Sequence, residues 1–188
     1  QHHRQRARVL IPVMSFVGSQ RQTYLSLVPA LRPHWRRDVR LPERIQQLLS
    51  REKRFGSRDR RLYRELIYTT LRYLPWIEAT LDSDPERAAA IAAWLAADLP
   101  ATEIYRAELT AGWPDHADDL NAKAAHLGQR TVDLLPAWLA EECPAAFTAD
   151  ELAALHRRAS LWLRLQTDNP AEVTEELDGR NWRWRRST

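Results

Sequence analysis

Side chains able to do chemistry are sparse in this chain, and their spacing is poor for catalysis. Cys143 is the single cysteine and lies in Glu141-Glu142-Cys143-Pro144. Two adjacent carboxylates disfavour a thiolate, so a packed thiol is expected in place of a nucleophile. The histidines beyond the first residues are His34, His116, His126 and His156, and none forms H-E-x-x-H or another tight ligand pair. Asp115-His116-Ala117-Asp118-Asp119 has the residue types for a metal ion, but the expected reading is an acidic helix start. Phosphate-cradling loops of the G-x-x-x-x-G-K-[ST] or G-x-G-x-x-G type are missing, and only 5 glycines exist to build them. No catalytic residue, metal ligand or cofactor-binding residue is assigned.

Cations are the abundant chemistry. Arg36, Arg37, Arg40, Arg44, Arg51, Lys53, Arg54, Arg58, Arg60, Arg61 and Arg64 crowd into one short stretch. Such density suits phosphate, because each contact releases a counterion. Of the chain's basic residues only Lys53 and Lys123 are lysine. Guanidinium binds phosphate bidentately and stacks on bases, which tilts the reading towards nucleic acid. A GC-rich genome produces the same bias. Trp182 and Trp184, interleaved with Arg183 and Arg185, are candidate base-stacking platforms. Trp76, Trp94 and Trp138 sit on apolar faces and read as core.

The 188 residues carry a net charge of only +3, which conceals a segregated pattern. Basic residues dominate up to position 74, acidic residues dominate 75–156, and the remainder is nearly balanced. An anionic partner for the first block explains this, and so does packing of the two blocks on each other. The 44% hydrophobic and 28% charged fractions describe a globular chain long enough for a sizeable core. One cysteine excludes a disulfide scaffold, and no apolar run reaches the ~18 residues of a membrane span. A basic start and the apolar stretch Val9–Val17 imitate a signal peptide, but Pro12 interrupts it. A cytoplasmic location is expected.

The elements that must position these groups are mostly helical. Apolar spacing predicts helices over 20–32, 42–50, 57–74, 85–98, 102–111 and 115–127, with Ser57 and Asp84 as N-caps and Gly128 as a terminator. On the 57–74 helix, Arg58, Arg61, Glu65 and Arg72 fall opposite the stripe of Leu62, Tyr63, Leu66, Ile67, Thr70 and Leu74. Residues 133–158 read as a helix pair, the first begun by Pro136 and the second by the capping box Thr148-Ala149-Asp150-Glu151. Leu161, Leu163 and Leu165 then alternate with polar or aromatic residues, as a strand does. A short helix from Asn169-Pro170 to Leu177 and a second alternating segment at Trp182–Arg185 follow.

Two stretches carry a family resemblance. Asp59-Arg60-Arg61-Leu62-Tyr63-Arg64-Glu65-Leu66-Ile67-Tyr68-Thr69-Thr70-Leu71-Arg72 resembles the D-R-x-L-x-x-E-L-x-Y-G-x-L-R helix of the NusB-like domain in RsmB/Sun-type ribosomal RNA 5-cytosine methyltransferases. Leu135-Pro136-Ala137-Trp138-Leu139 followed by Leu161-Trp162-Leu163-Arg164-Leu165-Gln166 resembles the H-P-x-W-L and W-L-R-x-N segments that lead into the methyltransferase part. Thr69 stands where that family has glycine, and Leu135 where it has histidine.

The resemblance implies a mainly α chain: a NusB-like helical RNA-binding domain over 1–130, then a helix pair and the first strand-helix-strand of a small α/β module over 131–188. It implies the N-terminal region of an S-adenosylmethionine-dependent enzyme, gripping ribosomal RNA for a C-terminal methyltransferase core. The S-adenosylmethionine loop and the two catalytic cysteines of that core have no counterpart here, so these residues are expected to be inactive alone. The RNA-binding candidates are Arg36, Arg37, Arg40, Arg58, Arg61 and Arg72. A stand-alone NusB-like transcription or ribosome-assembly factor is the first alternative, and a protein-interaction domain the second.

Overall fold

A computed structural model describes residues 15–115, 119–157 and 162–186. The described residues are helical, and none of them is in a strand. The chain divides into two compact units, Gln1–His156 and Arg157–Thr188.

The first unit begins with α1 (Phe16–Leu31), α2 (Leu41–Arg51) and α3 (Ser57–Arg72). The α1 start is fixed by Ser15, whose hydroxyl accepts from the Gly18 N–H at 2.9 Å. Gly56, not Ser57, is the cap of α3, and its N–H donates to the Asp59 carboxylate at 3.2 Å. The helix expected over 57–74 forms as α3 but stops two residues early: Tyr73 leaves helical geometry and α4 (Leu74–Ser83) starts, with Pro75 in its first turn. Proline lacks the N–H that a continuing helix would need and is tolerated only near a start.

The α5 helix (Pro85–Leu95) forms the centre of the unit and packs against α1, α3, α4 and α6 (Glu103–Leu109). Ala88, Ala89, Ala92 and Ala93 are fully buried along it. Small side chains let several helix axes approach one rod, while Ile91, Trp94 and Leu95 fill the wider gaps. Around it lie Tyr24, Leu62, Leu66 and Ile77, each wholly buried. Asp84 caps α5 as its position suggests, accepting from the Arg87 N–H at 3.0 Å. Asp84→Ala is expected to cost about 1 kcal/mol, the usual value of an N-cap, read as a lowered urea midpoint at unchanged m.

The α7 helix (Leu120–Leu127) ends at Gly128, whose φ of 65° is the left-handed cap conformation. The first helix of the pair expected over 133–158, to be begun by Pro136, is a single turn, α8 (Leu139–Glu142). Pro144 accounts for this, because it forces Cys143 out of helical geometry to φ −145°, ψ 72°. Cys143 and Trp138 are exposed, against the expectation that both are packed. The α9 helix (Ala149–His156) follows, but its capping box does not close; the Thr148 hydroxyl donates instead to the Ala145 carbonyl. Residues 131–156 belong to the first unit: Leu134 and Leu152 are buried in its core, and His156 lies 5.9 Å from the Tyr73 ring.

The described part of the second unit is α10 (Pro170–Gly179) between two arms without regular secondary structure. The helix was foreseen; the flanking strands are not formed. Leu161 lies outside the described residues. Alternation supplies a strand's side-chain pattern, but a strand needs a neighbour for its backbone N–H and C=O groups. Within 162–166 and 182–186 these groups have no ladder partner. The second arm is tied to the helix instead, the Trp184 indole donating to Asp178 at 2.8 Å.

Candidate nucleic-acid interface

The basic block divides into arginines with partners inside the fold and arginines in no ion pair. Among the described residues, three are ion-paired to acids of the middle block. Arg21 meets Glu86 at 2.5 Å, Arg32 grips both oxygens of Asp82 at 2.5 and 2.7 Å, and Arg36 meets Glu78 at 2.9 Å. Glu78 and Asp82 on α4 and Glu86 at the start of α5 thus face the cations of α1 and of the turn after it. The bidentate Arg32 guanidinium holds the Asp82 carboxyl below its ordinary range. Solvent screens exposed pairs such as these, so they set charge pattern more than stability. Internal packing of the two blocks is therefore real, but it uses only part of the basic block.

Arg60 serves structure in another way. Its guanidinium donates to the Leu49 carbonyl at 3.2 Å and the Glu52 carbonyl at 3.5 Å, which completes the C-terminal end of α2. Arg44 and the Arg40 N–H both bind the Asp38 carboxylate, and these donors hold the Asp38 carboxyl below its ordinary range. Arg36 itself adopts φ 59°, the left-handed region, which costs a non-glycine residue about 1–2 kcal/mol.

Among the described residues, Arg37, Arg40, Arg51, Arg58, Arg61, Arg64 and Arg72 are in no ion pair. Arg58, Arg61, Arg64 and Tyr68 occupy the outer side of α3 and are exposed. Their three- and four-residue spacing puts them in one row on a helix. Arg58 uses one donor on the Pro100 carbonyl at 3.1 Å and keeps the others outward. Glu65, expected on the same face, turns to the segment after α5 and accepts from the Ala97 N–H at 3.1 Å. Arg72 is half-buried and lies about 21 Å along the axis from Arg58.

Of the six residues singled out in the sequence, then, Arg58 and Arg61 share a face. Arg40 precedes the first turn of α2, Arg37 is exposed in the turn before it, Arg36 is committed to Glu78, and Arg72 sits at the far end of α3. Arg64 and Tyr68 complete the α3 row. Their signal was present: both lie within about 60° of Arg61 on a helical wheel. Beside them runs a groove of about 360 Å³ between α2 and α3, lined by Pro42, Glu43, Ile45, Gln46, Arg64 and Tyr68.

Elsewhere the structure offers little for catalysis. No group of three or more metal-ligating side chains occurs among the described residues. The acidic cluster at 115–119 includes three positions, 116–118, outside those residues. No described helix is long and apolar enough to cross a membrane. His156 is a packing residue. Its Nδ1 lies 2.9 Å from the Leu152 carbonyl, and burial lowers its pKa from 6.5, with the Arg72 charge acting in the same direction. The folded state thus favours neutral imidazole. Its stabilisation is complete above the unfolded-state value of about 6.5 and is lost as pH falls through the lower folded-state value. The urea midpoint of the wild type is expected to fall between pH 7.5 and 5.5 more steeply than that of His156→Gln. Parallel profiles would remove His156 as the cause.

Comparison with protein-family models, with curated proteins and with solved structures gives no match.

Proposed function

We propose that the helical unit is an RNA-binding domain whose contact surface is the outer face of α3. The observation that carries this is the contrast between two sets of arginines. Arg21, Arg32 and Arg36 are neutralised by Glu86, Asp82 and Glu78, whereas Arg58, Arg61 and Arg64 stand in a row in no ion pair among the described residues. A row of guanidinium groups is a surface that phosphates neutralise, and it positions a backbone without reading bases. Arg37 and Arg40 extend the cationic surface at the α2 end.

The resemblance of residues 59–72 and of the 135–139 and 161–166 segments extends the proposal. In this reading the chain is the N-terminal region of an S-adenosylmethionine-dependent ribosomal RNA cytosine-5 methyltransferase. Its work is to hold structured ribosomal RNA while a C-terminal core of the same protein supplies the cofactor and the chemistry.

A salt series tests the binding. Affinity for a structured small-subunit ribosomal RNA fragment should exceed that for duplex DNA. It should fall with salt at about 0.7–0.9 log units per log unit for each phosphate engaged. No binding at low salt would overturn the reading and leave the arginine row as a solvated face.

A further inference from the structure

The groove between α2 and α3 is lined by groups that phosphate does not need. Pro42 offers apolar surface above the buried Ile45, Tyr68 an exposed ring, Gln46 an amide, and Glu43 a carboxylate. Arg64 stands in the lining and Arg61 one turn along the same face. A surface that served only a polyanion would not place a carboxylate and an aromatic ring beside its cations. The carboxylate repels phosphate and accepts hydrogen bonds only. It therefore favours a ligand that brings donors into the groove while its negative charge stays on the arginines. An unpaired nucleotide has this division: a flat face for the ring, an edge bearing an amino group, and a phosphate behind.

We propose that this groove is a subsite for one unpaired, amino-bearing base of a single-stranded RNA segment, a proposal that rests on the RNA-binding reading above. The base stacks on Tyr68, its exocyclic amino group donates to Glu43, and Gln46 supplies either a donor or an acceptor to the remaining edge. Arg61 and Arg64 hold the flanking phosphates. The volume of about 360 Å³ lies in the range of small-ligand clefts, and single-stranded RNA is commonly read by aromatic stacking and edge hydrogen bonds. Adenine, cytosine and guanine carry the amino group; uracil does not. The subsite thus adds base preference to a surface whose arginines alone have none.

The test uses the full chain and short unstructured oligoribonucleotides containing adenine, cytosine or uracil, with an RNA hairpin stem for comparison. Binding is read by fluorescence anisotropy for the wild type, Tyr68→Ala, Tyr68→Phe, Glu43→Ala and Arg61→Glu/Arg64→Glu. The wild type should prefer the adenine or cytosine oligomer to the uracil oligomer and to the stem. Tyr68→Ala should weaken single-strand binding about tenfold, the usual size of one lost stack, and leave the stem unchanged. Tyr68→Phe should bind as the wild type does. Glu43→Ala should erase the preference over uracil. A 2-aminopurine placed in the oligomer should lose fluorescence on binding the wild type, which needs no variant to fold. Absence of that quenching, or a Tyr68→Ala protein with wild-type single-strand affinity, overturns the subsite. If the double arginine variant still loses binding in that case, the arginine face stands and only the groove fails. If it binds every RNA as the wild type does, both proposals fail.

Discussion

Arg58→Glu/Arg61→Glu is expected to weaken RNA binding on the order of 100-fold at low salt, and to flatten the salt slope by about 1.4–2. Each reversal removes one phosphate contact and places a repulsive charge where the contact was. Both side chains are exposed, so the fold should tolerate the change, as surface substitutions usually do to within about 0.5 kcal/mol. The matched control is Arg21→Glu/Arg32→Glu, which alters net charge by the same amount. Those arginines already face Glu86 and Asp82, so they have little to offer an external phosphate. Their reversal should shift RNA affinity less than about threefold while lowering the urea midpoint slightly. Equal losses from the two pairs would mean that net charge alone attracts the RNA, and the α3 face would lose its assignment.

The largest expected loss of stability is at Trp94. This side chain is buried at the end of α5, its indole N–H donates to the Pro114 carbonyl at 2.8 Å, and its ring lies 6.0 Å from Trp113 and 4.6 Å from His126. It thereby fastens Trp113, Pro114 and His126 to the central helix. Trp94→Ala should cost about 4 kcal/mol, through lost burial, a cavity and an unpaired carbonyl. That is much of the ~5–15 kcal/mol that holds a domain of ordinary stability together. Trp94→Phe keeps most of the apolar volume and should cost about half as much. Urea denaturation followed by far-UV circular dichroism measures both. A loss below about 1 kcal/mol for the alanine variant would show that the segment is held elsewhere.

Trp94 also illustrates how far patterns along the chain reach. Helical spacing alone put Trp76 and Trp94 inside, and both are buried. The same spacing put Trp138 inside, yet it is exposed. Pro144 cuts its helix to a single turn, so no extended apolar face exists there for Trp138 to join. Short-range chemistry was legible where one residue decides it. Asp84 and Gly128 act at helix ends as their types require, and the prolines mark the breaks around α4 and α8.

The strand expectation failed for a physical reason of the opposite kind. Alternation of Leu163 and Leu165 with Trp162 and Arg164 is a property of one segment, but a sheet is a property of two. The candidate interface shows the same division. The clustering of arginines between Arg36 and Arg64 could be counted directly. Their separate fates could not. Whether an arginine faces Glu78, caps α2 through the carbonyls of Leu49 and Glu52, or points outward beside Tyr68 depends on residues up to dozens of positions away.

Local sequence therefore decided what depends on torsions and side-chain periodicity: the helical class, most helix positions, the caps, and the presence of a cationic face on α3. Long-range packing decided which cations are neutralised, which tryptophans are buried, and that α2 and α3 flank a groove holding Glu43, Gln46, Arg64 and Tyr68. Ion pairs and burial are set by distances between segments. No spacing within a single segment encodes those distances.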